Sequence, residues 1–249
     1  MIYAVGDIHG QKTQMDRALA LIHTDGGTGA EVVFVGDYTD RGPDTRGVID
    51  ALIAGVEAGR NWTVLRGNHD RMFTRFVRDG VIDDPQIASG KGWLHPALGG
   101  RDTLRSYGVT LPDADAEIRD PGLVDEIAKE ARAKVPETHL DFLESRPLWH
   151  RTEAAIFVHA GIRPGIEMVD QAEDDLIWIR NGWLDDTRDH GTMIVHGHTA
   201  LDEPAHHGNR INIDGGAGYG RPLVPVHFDG DDWHTVHETG RSLLWPRAE

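Results

Sequence analysis

The sequence predicts an α/β fold, and three observations carry that expectation. Short apolar runs alternate with helical-period stretches through the first third of the chain. Each run ends on a turn that contains glycine, and apolar runs of strand length resume after a helix-rich middle. Strand–helix repeats of this length imply right-handed crossovers and a mostly parallel sheet.

The elements follow in order. Ile2 to Val5 is an apolar run, hence a buried strand, ending at Gly6-Asp7. Gln11 to His23 then places Met15, Ala18, Leu19 and Ile22 on one helical face. Glu31 to Val35 is the second strand. Thr45 to Glu57 reads as a helix with Val48, Leu52, Ile53 and Val56 inward, and Trp62 to Leu65 as the third strand. From about Asp70 to Arg151 the pattern turns helical: Arg71 to Arg78, Asp102 to Tyr107, Val124 to Ala133 and Glu137 to Ser145, between Gly- and Pro-containing turns. The acidic stretch Asp113 to Asp120 reads as a solvated loop or helix edge. Strands resume at Ala154 to Val158, Met193 to Val195, Ile211 to Ile213, Leu223 to Phe228 and Trp233 to Val236. With no repeat and no low-complexity linker, the expectation is one domain, residues 1–249, carrying a helical insertion over about 80–146.

Composition narrows the function classes. Lys and Arg number 25 against 41 Asp and Glu, a net charge of -16. Such a chain has no electrostatic drive toward nucleic acid or anionic lipid, so neither is expected as a partner. There is no cysteine, which removes disulfides, thiolate metal sites and cysteine nucleophiles. No apolar run approaches the roughly 18 residues a membrane helix needs, and Met1 leads directly into the first strand without a basic, apolar leader. A cytoplasmic protein is expected. Histidine, at 15, and glycine, at 30, are both abundant.

Five short motifs fall where strands end: Gly6-Asp7-Ile8-His9-Gly10, Gly36-Asp37-Tyr38-Thr39-Asp40-Arg41-Gly42, Arg66-Gly67-Asn68-His69-Asp70, His159-Ala160-Gly161 and His196-Gly197-His198-Thr199. Asp, Asn, Gly and His are ordinary turn residues, which accounts for any one motif but poorly for the set. Ligand sites of open α/β sheets lie at the carboxyl ends of strands. Asp7, His9, Asp37, Asn68, His159 and His198 offer two carboxylates, three imidazoles and one amide oxygen. That inventory suits two divalent metal ions sharing one carboxylate. Mixed nitrogen and oxygen donors without thiolate favour Mn²⁺, Fe or Zn²⁺ over Ca²⁺ or Mg²⁺, with Mn²⁺ the first expectation. Two metals about 3.5–4 Å apart share a water, lower its pKa and clamp a phosphoryl oxygen, so hydrolysis of phosphate esters follows.

These motifs resemble those of the phosphoprotein phosphatase family of metallophosphoesterases, in particular its bacterial and bacteriophage lambda-type members, over about residues 1–230. The resemblance implies a sandwich of two mixed β-sheets flanked by helices. It also implies a first metal on Asp7, His9 and Asp37, and a second on Asp37, Asn68, His159 and His198, with Asp37 bridging. His69 takes the place of the family's general acid, and Asp40 that of the carboxylate which orients it. Arg41, Arg66 and Arg180 match phosphate-binding arginines. His196 is then a packed neighbour of the ligand His198. The chain departs from the family at Asp70, where Glu is common, and at Gly215, where Thr is common.

The leading expectation is a metal-dependent phosphomonoesterase acting on phosphoserine and phosphothreonine, with phosphotyrosine as a further substrate, by direct attack of a metal-bound hydroxide. Its partner is a phosphorylated protein or peptide. The alternative is a dinucleoside tetraphosphate hydrolase with the same metal core; Asp40 and Thr199 favour the monoesterase. A non-catalytic scaffold is disfavoured by the intact His69, Asp40 and arginines. Trp93, Trp149, Trp178 and Trp183 are candidates for lining a substrate groove, and the helical insertion is a place to look for substrate selection.

Overall fold

The computed structural model describes residues 1–112 and 116–247, so Asp113 to Asp115 of the acidic stretch lie outside the described residues. Among these residues, two mixed sheets pack face to face with helices outside them. In the first sheet β1 (Ile2–Val5), β2 (Val32–Phe34) and β3 (Trp62–Val64) run parallel, with Tyr3 opposite Val32 and Val32 opposite Trp62. In the second, β4 (Trp149–Arg151) pairs antiparallel with β5 (Ala155–Val158), which runs parallel to β6 (Met193–His196). Beyond β6 lie β7 (Ala205–His206) at the edge and β8 (Arg210–Asn212) between them. The chain then returns to the first sheet: β9 (Val226–Phe228) joins β1 antiparallel, followed by β10 (Trp233–His237) and β11 (Gly240–Leu243). The parallel order expected of the first third holds for β1 to β3, and the chain forms the two mixed sheets that the resemblance implies. Tight connections between the late strands leave no length for a crossover helix, so they pair antiparallel.

Strand alternation divides the core. Tyr3 and Val5 face the helices, while Ile2 and Ala4 face the second sheet and meet Val33, Val35, Phe157, Val195 and Ile211 there. On β5, Ile156 and Val158 point the other way, to Leu176, Ile177 and Trp183.

On the outer face of the first sheet lie α1 (Lys12–Gly26), which buries Met15, Ala18 and Ile22, and α2 (Thr45–Glu57). Asp44 caps α2 by accepting the N–H of Gly47 at 2.9 Å. Its buried stripe is Val48, Ile49 and Leu52, rotated slightly from the expected one, so that Ile53 and Val56 are half-buried.

The helical middle contains α3 (Asn68–Asp79), α4 (Gly100–Ser106), α5 (Pro121–Lys134) and α6 (Glu137–Glu144). Helix α5 buries Val124, Ile127, Ala128 and Ala131, an i, i+3, i+4, i+7 set, after a cap from Asp120 to Leu123 N–H at 2.9 Å. These helices share their apolar core with α2 and the first sheet. Helix α3 starts three residues earlier than its apolar spacing suggests, because Asp70 accepts the N–H of Gly67 and closes the first turn. Asn68 and His69 therefore sit on a helix N-terminus instead of in a loop. A short helix, α7 (Glu173–Trp178), covers the second sheet. Among the described residues no helix is long and apolar enough to cross a membrane.

Candidate active site

Both sheets deliver side chains to one cluster. Asp7 and His9 follow β1, Asp37 to Arg41 follow β2, His159 follows β5 and His198 follows β6, while Asn68 and His69 open α3. The turns that aim them are unusual. Among the described residues, the non-glycine residues with left-handed backbone are His9, Asp37, Asp40, Arg41 and His198, with φ of 47°, 56°, 75°, 67° and 66°. All five belong to the residue set drawn from the sequence. Each such conformation costs on the order of 1–3 kcal/mol, so the surroundings must hold it. For Asp37 the holder is Asp70, whose carboxylate accepts the backbone N–H of Asp37 and of Tyr38, each at 2.9 Å, and that of Thr39 at 3.3 Å. Burial raises Asp70 to about 6, against the pull of these N–H donors. Asp70, where the chain departs from the family pattern, is thus what fixes the backbone of Asp37. Gly67 is required beside it, since a Cβ there would lie 2.1 Å from Asp37 Oδ1.

The imidazole tautomers follow from their backbone partners. His9 Nδ1–H donates to the carbonyl of Thr39 at 2.7 Å, and His159 Nδ1–H to that of Val35 at 2.9 Å. Burial lowers His159 to about 3 and His9 well below the ordinary imidazole range, so both are neutral. Each then presents an unprotonated Nε2 to the cluster. His159 Nε2 lies 3.4 Å from Asp37 Oδ1 and 2.8 Å from Asn68 Oδ1. His198 Nδ1 lies 2.8 Å from the same Asn68 oxygen. On the other side His9 Nε2 is 3.7 Å from Asp37 Oδ2 and 4.0 Å from Asp7 Oδ2. The two oxygens of Asp37 thus face two different groups of acceptors, the arrangement a bridging carboxylate needs.

Lone pairs converging without a proton between them are what a divalent cation satisfies, and the donor set fits one in each group. Ligand atoms of Asp37, His159 and His198 come within 4.8 Å of one another, as do those of His9, Asp37 and His69. His69 is likewise anchored at Nδ1, by Asp40 rather than by a backbone carbonyl, and Arg41 lies 3.2 Å from its Nε2. Electrostatics agree with cation binding. Burial, then Asp214, pushes the Asp7 carboxyl well above its usual range; burial, then Asp70, does the same to Asp37. A cation would reverse both shifts.

Asp40 Oδ2 lies 2.5 Å from His69 Nδ1. Trp93 Nε1–H donates to that oxygen at 2.8 Å, and Thr103 Oγ1–H donates to Oδ1 at 2.8 Å. Burial raises Asp40 to about 7 despite these donors. Trp93 and Thr103, from the helical middle, were not anticipated as partners of Asp40. Trp93 and Trp183 are fully buried and line no groove; Trp178 is half-buried, with its ring 5.9 Å from that of His198. Trp149 is half-buried on β4. His196 is buried against Trp183, with ring centres 5.5 Å apart, and burial lowers it to about 3. It is a packed neutral imidazole.

A cavity of about 460 Å³ opens over the cluster, lined by Asp37, His69, His198, Arg41, Arg180 and Arg221 among others. Arg41 touches His9 Nε2 and lies 3.2 Å from His69 Nε2. Arg180, just beyond α7, donates to the carbonyl of His198 at 3.3 Å. Arg66 does not line this cavity, a correction to the expected phosphate-binding trio. Its guanidinium is paired with Glu173 at 2.7 Å, because the chain leaving β3 directs it toward α7. Arg221 lines the cavity instead, with Tyr219 and Asp214 beside it. No motif pointed to these three, although the neighbouring Gly215 had been noted.

Residues 1–219 match the family model described as calcineurin-like phosphoesterase. A bis(5'-nucleosyl)-tetraphosphatase PrpE [asymmetrical] from Anoxybacillus flavithermus (strain DSM 21510 / WK1) is 24% identical over 254 residues, covering 92% of this chain and 91% of its own. The solved structure of a candidate diadenosine tetraphosphatase superposes with a TM-score of 0.62 at 21% identity, over 98% of this chain and 93% of that one. A cold-active protein-tyrosine phosphatase from a psychrophilic Shewanella species gives 0.59 at 16% identity, over 98% and 80%. At such identities the two structures establish the fold alone.

Proposed function

The chain belongs to the calcineurin-like phosphoesterases, and from that premise we propose that it hydrolyses dinucleoside tetraphosphates. The observation that carries the reading is the gathering of Arg41, Arg180 and Arg221 in one cavity above two cation-fitting groups that share Asp37. A phosphomonoester presents one phosphoryl group; three guanidinium groups suit a chain of several. The curated relative spanning nearly the whole chain carries a tetraphosphatase name, which supports the same substrate class.

Asp7, His9 and Asp37 would hold one divalent cation, and Asp37, Asn68, His159 and His198 a second. Bound there, the cations supply Lewis acidity toward phosphoryl oxygens and toward water. Arg41 and Arg180 orient the phosphoryl group. His69, fixed at Nδ1 by Asp40, turns Nε2 toward the cavity, the position from which it would pass a proton to the departing oxygen.

The protein phosphatase reading stands second. Its support is the Asp40–His69 pair, since a serine or threonine alkoxide is a poor leaving group that needs a proton. Turnover on diadenosine tetraphosphate and on a phosphoserine peptide, compared side by side with Mn²⁺ supplied, separates the two. A kcat/KM at least tenfold higher on the tetraphosphate is expected, with ATP and AMP as products. The reverse order overturns the proposal.

A further inference from the structure

Tyr219 is a large aromatic that the core does not use. It is 61% exposed, and it is the large, exposed apolar side chain that lines the arginine cavity among the described residues. Its backbone is nonetheless held. It ends the 3-10 turn Ala217–Tyr219, donating its N–H to Gly216 O at 2.9 Å. That turn lies tight on the metal-ligand cluster: a Cβ on Gly218 would come within 2.6 Å of His9 Cδ2 and 3.0 Å of Arg41 Cδ. The Arg41 guanidinium carbon sits 4.8 Å from the ring centroid of Tyr219, a cation over the aromatic face. Arg221, two residues on, anchors the far side of the turn through Asp202 at 2.8 Å. An exposed aromatic ring on a held turn, with Arg41 over its face and Arg221 lining the same cavity, presents a planar surface and anion-binding groups side by side. A peptide phosphoserine uses only the second; a nucleoside polyphosphate uses both.

We infer that Tyr219 is a specificity-determining residue that stacks a nucleobase of the substrate while Arg41 and Arg221 hold the adjoining phosphates. This inference rests on the tetraphosphate reading above. The test is steady-state kinetics on diadenosine tetraphosphate at fixed free Mn²⁺, with inorganic tripolyphosphate, which has the phosphates and no base, as competitive inhibitor. Tyr219→Ala should raise KM about tenfold, the low end of what one base–aromatic stack contributes. The Ki for tripolyphosphate should rise far less, and Tyr219→Phe, which keeps the ring, should restore KM. A Ki that rises by the same factor as KM, a loss confined to kcat, or no rescue by Phe overturns the inference while leaving tetraphosphate hydrolysis in place. A wild-type protein that turns over phosphopeptide and not the tetraphosphate overturns both.

Discussion

Asp40 Oδ2 stands 2.5 Å from His69 Nδ1, and the indole N–H of the buried Trp93 reaches the same oxygen at 2.8 Å. One face of the imidazole is therefore committed to the protein, and Nε2 is the atom left for chemistry in the cavity. Trp93 and Thr103 lie later in the helical middle than α3, so that region helps to orient a histidine of its own first helix.

If His69 protonates the departing oxygen, His69→Asn should lower turnover on an alkyl phosphate by about 10²–10⁴. On an aryl phosphate with an acidic phenol the loss should shrink, since that group departs without help. Parallel kinetics on the two substrates check this, and equal losses would favour simple positioning.

Asp40→Asn leaves one amide where three donors meet a carboxylate. The amide NH₂ must then face the indole, the threonine hydroxyl or the imidazole N–H, which costs about 1–3 kcal/mol. A lower urea midpoint, reduced turnover with the same leaving-group dependence as His69→Asn, and full metal content are expected. Loss of metal would instead place Asp40 among the ligands.

Asp37 faces His159 with one oxygen, at 3.4 Å, and His9 with the other, at 3.7 Å. Asp37→Asn should abolish both metal sites together, because a neutral amide cannot balance two divalent cations. Metal analysis of the purified variant decides it; two ions per chain with full activity would remove Asp37 from the bridge.

A pH effect on stability is expected away from the site. Burial raises Tyr3 from 10.0 to about 12, helped by its hydrogen bond to Asp25. Burial opposes ionisation of Asp25 too, but the Tyr3 hydroxyl at 2.7 Å and Arg241 at 2.9 Å outweigh it and hold the carboxyl below its usual range. A raised Tyr pKa gives a contribution present below pH 10.0 and lost as pH climbs toward about 12. A depressed Asp pKa gives one present above the ordinary 3.8 and lost as pH falls below it. Thermal unfolding across pH should show both limbs; Tyr3→Phe should flatten the alkaline one and Asp25→Asn the acid one.

Much of this arrangement was legible in the chain. Helix α2 has the bounds its sequence predicts because Thr45 to Glu57 carries a helical apolar stripe. The clustered Asp and His residues were legible because aspartate, histidine and glycine recur at strand ends. The start of α3 was hidden, since Asn68 and His69 carry no apolar period and the helix begins there through a carboxylate bond from Asp70. Strand β11 escaped because Gly240–Leu243 is largely exposed and pairs only at a sheet edge. Arg66 was misplaced for a different reason. Adjacency in sequence to a ligand motif does not say where a long side chain points, whereas Arg221 reaches the cavity from a turn that has no periodicity to betray it.

The turns of the candidate metal cluster come from opposite layers of the sandwich, Asp7, His9 and Asp37 from one and His159 and His198 from the other. No disulfide locks those layers, as the chain has no cysteine. Their alignment is set by the apolar residues between them, Val33, Val35, Phe157, Val195 and Ile211. A slide of half an ångström between layers would leave each layer's own hydrogen bonds intact yet change the separation of Asp37 from His159. Interior packing between the sheets therefore acts as the gauge of the catalytic distances, and a conservative change at Phe157 or Val195 would surface first as altered ion affinity.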